Sequence, residues 1–119
     1  MSAASSGTAL VEQILSGKRD QLAALCKIYS VTQLDLFGSA VAGAFDPTAS
    51  DLDFLVEFGP PGNMNRADQY FGFMEALETL FGRPIDLVQP SAIRNPYFAQ
   101  EVQATRVPIY ACGNQEIPL

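Results

Sequence analysis

In the segment DLDFLVEF, residues 51–58, Leu52, Phe54, Val56 and Phe58 form an unbroken apolar row while Asp51 and Asp53 take the opposite parity. Successive side chains leave a strand on opposite faces, so this segment is predicted to be a strand with one face for a core and one for chemistry. Two carboxylates at i and i+2 then stand roughly 7 Å apart on one surface. Glu57 shares their parity but lies nearer the loop that follows, and is left out of the acidic site.

Other segments fit around this strand. TQLDLF, from Thr32, places Leu34 and Leu36 on one face and runs into Gly38 and Ser39; Asp35 is expected to be an exposed residue of the alternation. PIDLVQ puts Ile85 and Leu87 on one face and Asp86 on the other. VPIYA, from Val107, reads as an edge strand because Pro108 cannot donate to a ladder. Apolar residues at helical spacing run from Thr8 to Tyr29, with a break expected at Ser16 and Gly17. A second stripe, Tyr70, Met74, Leu77 and Phe81, predicts a helix that stops at Gly82. Residues from Ser91 to about Arg106 are expected to be helical, Pro96 marking a break or a first turn, with Tyr97 and Phe98 used in the core.

This order of elements predicts an α/β (α+β) fold: a small mixed sheet with helices mainly on its apolar face and the opposite face partly open. With 119 residues the chain is expected to be one domain, residues 1–119, with flexible tails at 1–7 and 113–119.

Composition narrows the chemistry. Seven Lys and Arg against thirteen Asp and Glu give a net charge of −6 with no basic run, which argues against a general nucleic-acid surface. His is absent, so Ser-His-Asp and Cys-His catalysis and His-based zinc sites are excluded. Cys26 and Cys112 read as buried free thiols of a reducing compartment. The opening MSAASSGTA lacks the basic and apolar regions of a signal peptide, and no apolar stretch approaches the roughly twenty residues of a membrane span. A cytoplasmic protein without membrane contact is expected.

Asp51, Asp53 and Asp86 are the candidate catalytic and metal-binding residues. If the strand of Asp86 lies beside that of Asp53, the three charges repel and raise one another's pKa, and no Lys or Arg adjoins them in sequence to relieve this. A divalent cation would. Oxygen ligands without His or Cys select Mg²⁺, or Mn²⁺, and Mg²⁺ commonly needs only one or two carboxylates completed by phosphates and water. Upstream, Gly38 ends a strand and Ser39 can cap a following turn, making a candidate phosphate cradle. A nucleoside triphosphate bound through Mg²⁺ would occupy both sites at once.

The stretch LFGSAVAGAFDPTASDLDFLVEF, with GRPIDLV and NPYFAQEVQATRVPIYA after it, resembles the DNA-polymerase-β-like nucleotidyltransferases. Within them it is most similar to the minimal nucleotidyltransferase (MNT) antitoxins paired with HEPN toxins. The resemblance spans about Leu34 to Ala111. It implies that Gly38 and Ser39 hold the triphosphate and that Asp51, Asp53 and Asp86 bind metal and activate an acceptor hydroxyl. The implied activity is transfer of a nucleoside monophosphate, AMP from ATP, to a hydroxyl of a HEPN-type toxin encoded beside it. The alternative is a non-catalytic antitoxin that inhibits its partner by stoichiometric contact. Many relatives carry Arg where this chain has Ala42, which removes one phosphate-facing cation.

Overall fold

Alternation at residues 52–58 becomes a strand because it lets one row of side chains leave water while the backbone is paired on both sides. The computed structural model describes residues 11–38 and 51–111; Ser39, Ala42 and Cys112, and both expected tails, lie outside the described residues. Strands β1 (Val31–Phe37), β2 (Leu52–Phe58), β3 (Ile85–Val88) and β4 (Val107–Ala111) form one sheet in the order β3-β2-β1-β4. β1 runs antiparallel to β2 and to β4, whereas β2 and β3 are parallel. The sheet is therefore mixed, as expected, and β4 with Pro108 lies at its edge.

Helix α1 (Arg19–Ile28) follows a helical stretch at residues 11–15 and a turn at 16–18, at the expected break. Helix α2 (Arg66–Phe81) is capped by Asn65, whose side chain accepts from the Asp68 N–H at 2.7 Å. It ends at Gly82, whose φ of 68° is the left-handed conformation glycine adopts without a Cβ penalty. Helix α3 (Pro96–Thr105) starts with proline in its first turn, after a short 3₁₀ turn at Pro90–Ala92. Its cap, Asn95, accepts from the N–H groups of Tyr97 and Phe98.

Leu34, Leu36, Leu52, Phe54, Val56, Ile85 and Leu87 form the core face, packed by Leu22 and Cys26 of α1 and by Phe73 and Leu77 of α2. Burying a side chain of this size stabilises the fold by about 1.5–3 kcal/mol. Cys26 is free and buried, and burial pushes its thiol pKa up to about 12, as expected of an inert core cysteine. Gln69 ties α2 to the strand ends, its side-chain amide donating to the carbonyls of Tyr29 and Gly59 at 2.9 and 3.0 Å.

The opposite face carries a second, smaller core: Phe37 and Leu55 pack with Val102 of α3, with Val88, Ile93 and Phe98 around them. The Phe98 ring meets Phe37 edge-on at 5.9 Å. Phe98 thus serves packing as expected, while Tyr97, its neighbour, is 81% exposed. α3 covers part of the face that bears the aspartates and leaves the rest to chemistry. Among the described residues, no helix is long and apolar enough to cross a membrane.

Candidate active site

Register decides which side chains meet on the partly covered face. Asp53 is the partner of Phe37 across the β1–β2 ladder and of Asp86 across the β2–β3 ladder. Side chains paired across neighbouring strands project from the same face, so Asp53 and Asp86 stand side by side at the spacing of strands about 4.8 Å apart. Asp51, exposed, lies two residues before Asp53 and just outside β2.

Asp53 is half-buried, and its pKa is pushed up from 3.8 to about 6. Burial is the largest cause, followed by the charges of Asp86, Asp51 and Glu101. Every charge that shifts it is another carboxylate. The same crowding touches Tyr70, whose phenol is raised by burial and then by Asp86. Its hydroxyl donates to the carbonyl of Leu87, the residue after Asp86.

Gly38, at the end of β1, has a φ of 80°. A Cβ on it would lie 2.5 Å from Asp53 Oδ2, so the side chain that requires glycine here is the Asp53 carboxylate. The Gly38 N–H donates to Thr105 Oγ1 at 3.0 Å. Gly38 and Asp53 are thus brought together as the spacing of their motifs suggests, and Ser39 is outside the described residues.

Among the described residues, no three acidic or cysteine side chains form a ready-made metal cage. Two adjacent carboxylates with only oxygen donors nevertheless suit a hard divalent cation that shares its remaining positions with phosphate and water. A groove of about 600 Å³ lies elsewhere, between α1 and α2. It is lined by Gln21, Ala24, Leu25, Ala76, Thr79 and Leu80, and none of these can serve as an acid, a base or a strong metal ligand.

Three features were not foreseen. Glu101 of α3 acts on Asp53, and Thr105, one turn further on, holds Gly38. Asp35, expected to be exposed, is fully buried and paired with Arg106, whose Nε donates to Asp35 Oδ2 at 2.7 Å. The correction has a visible cause. Asp35 shares its face with Phe37 and Leu55, and those apolar residues require a covering element, which is α3.

A family model described as a nucleotidyltransferase domain matches residues 18–109. No curated protein matches the chain. Among solved structures, a minimal nucleotidyltransferase is 27% identical, with a TM-score of 0.63 over 81% of this chain and 93% of that one. A toxin-antitoxin complex with AMP-PNP is 16% identical, with a TM-score of 0.58 over 83% of this chain and 77% of that one. A Shewanella oneidensis complex of tri-AMPylated HEPN toxin with MNT antitoxin is 15% identical, with a TM-score of 0.53 over 82% and 73% of the two chains. At that identity the last two likenesses concern the fold alone.

Proposed function

Because this chain belongs to the nucleotidyltransferase-domain family, we propose that it transfers a nucleoside monophosphate, AMP from ATP, to a hydroxyl of a partner protein. The observation that carries this reading is the side-by-side pair Asp53 and Asp86, with Gly38 set against the Asp53 carboxylate.

In the proposed reaction the acceptor oxygen bonds to the α-phosphorus, the bond from that phosphorus to the β-bridging oxygen breaks, and pyrophosphate leaves. Asp86, exposed at the second position of β3, takes the acceptor's proton. Asp53, Asp86 and Asp51 would hold Mg²⁺ or Mn²⁺, with Gly38 and Ser39 guiding the triphosphate. When bound, the cation would neutralise charge on the attacking and leaving oxygens. The carboxylates' part would be to hold that cation where it sets the phosphates in line with the acceptor, and such positioning supplies much of the rate in phosphoryl transfer.

The proposed acceptor is a HEPN-type toxin encoded beside this chain, and the proposed compartment is the cytoplasm. The fold's likeness to a chain of a toxin-antitoxin complex with AMP-PNP and to a chain of a complex of tri-AMPylated HEPN toxin with MNT antitoxin supports this. The purified chain, labelled ATP, Mg²⁺ and the product of the adjacent gene form the test. Label on the partner with wild type but not with Asp53→Asn supports the transferase. Inhibition of the partner that survives Asp53→Asn, without label, identifies a stoichiometric binder instead.

A further inference from the structure

We propose that Thr105 is a positioning residue for the nucleotide, acting through Gly38; this rests on the reading of the Gly38 turn as the triphosphate site. The Thr105 hydroxyl is used twice. It accepts from the Gly38 N–H at 3.0 Å and donates to the Glu101 carbonyl, one helical turn back, at 2.9 Å. The bond to Gly38 joins residues 67 apart, the end of α3 to the end of β1.

That place is tied to the sheet at two points. α3 is fastened to β1 by the Phe98–Phe37 ring contact and by Arg106 on buried Asp35, the residue after Thr105 on a residue two before Phe37. Gly38, by contrast, has no side chain to anchor it, and glycine samples positive and negative φ with similar ease. Its observed φ of 80°, with Asp53 Oδ2 in the space of a Cβ, is one choice among several. The Thr105 hydroxyl holds the peptide plane between Phe37 and Gly38, and so sets the position from which Gly38 begins the turn against Asp53. It also occupies the Gly38 N–H, so in this arrangement Gly38 guides the turn without donating to a phosphate.

Three full-length chains test this: wild type, Thr105→Val, which keeps the shape and loses both hydrogen bonds, and Thr105→Ser, which keeps the hydroxyl. The amide resonance of Gly38 is followed by NMR, and the affinity for a non-hydrolysable ATP analogue with Mg²⁺ by calorimetry. The expected result is a shifted Gly38 amide and about fivefold weaker binding in Thr105→Val, as for loss of one neutral hydrogen bond, with both restored in Thr105→Ser. A purely structural threonine would lower the melting temperature but leave the folded chain's affinity unchanged. A wild-type Gly38 resonance or wild-type affinity in Thr105→Val, or equal weakening in Thr105→Ser, overturns the proposal while leaving the transferase reading intact. Absence of analogue binding by wild type overturns the triphosphate reading and this inference together.

Discussion

Asp53 and Asp86 are register partners on the parallel strands β2 and β3, so two carboxylates share one face at strand spacing, one of them half-buried. Burial, and after it the charges of Asp86, Asp51 and Glu101, hold Asp53 near a pKa of about 6, against an ordinary 3.8. Between those values the folded chain binds more protons than the unfolded one. The metal-free protein therefore loses stability as pH rises through that interval, and stays less stable above it. Asp53→Asn is expected to flatten this dependence and to melt a few degrees higher than wild type at neutral pH in EDTA. Added Mg²⁺ should raise the wild-type melting temperature and leave that of Asp53→Asn nearly unmoved. Melting curves from about pH 4 to about pH 8, with and without the cation, decide it.

Gly38→Ala is expected to destabilise by about 2–4 kcal/mol, since it combines a left-handed backbone with a forced contact. The contact is specific: the added Cβ meets Asp53 Oδ2 at 2.5 Å. In an Asp53→Ala background the same substitution should cost about 1 kcal/mol less, a coupling that urea unfolding of the four chains would measure. Strict additivity would show that the glycine answers to backbone conformation alone.

How far this site can be read from sequence depends on the range over which each signal acts. The parity of Leu52, Phe54, Val56 and Phe58 is local, and it correctly assigns the core face and, by exclusion, the face of Asp53. Asp86 joins that face because β3 pairs with β2, a pairing that the matching apolar parity of Ile85 and Leu87 makes natural. Asp35 could not be placed this way. Its burial depends on α3, a helix that begins some sixty residues later in the chain, and the clue was the apolar character of Phe37 and Leu55 on a face treated as polar. Thr105 and Glu101 escaped for the same reason: a threonine or glutamate at a helix end carries no pattern until the helix is docked.

Gln69 is buried on α2 with its amide shared between the carbonyls of Tyr29, just before β1, and Gly59, just after β2, at one end of that strand pair. Gln69→Leu leaves both acceptors without this donor and is expected to cost about 2–3 kcal/mol in urea unfolding. Gln69→Glu should be worse at neutral pH, because a carboxylate has no proton to offer and faces two carbonyl oxygens. An equal loss in the two variants would mean that the site responds to shape and not to donation.

The Asp35–Arg106 pair closes the end of α3 onto β1, and its energetics should be asymmetric. Asp35 is fully buried, Gln33 Nε2 donates to its Oδ1 at 3.2 Å, and the Arg106 guanidinium, with its side chain 25% exposed, supplies the opposing charge. Arg106→Ala would strand a buried carboxylate, at a cost of about 3 kcal/mol. Replacing both members, as in Asp35→Leu with Arg106→Met, removes the charge that needs a partner and should return most of the stability. Thr105 adjoins Arg106, so the single variant should also weaken triphosphate binding while the double variant, with α3 docked again, should recover it. Urea unfolding and analogue binding on the same preparations separate the two effects. A double variant as unstable as Arg106→Ala would mean that the pair contributes specific geometry that apolar packing cannot replace.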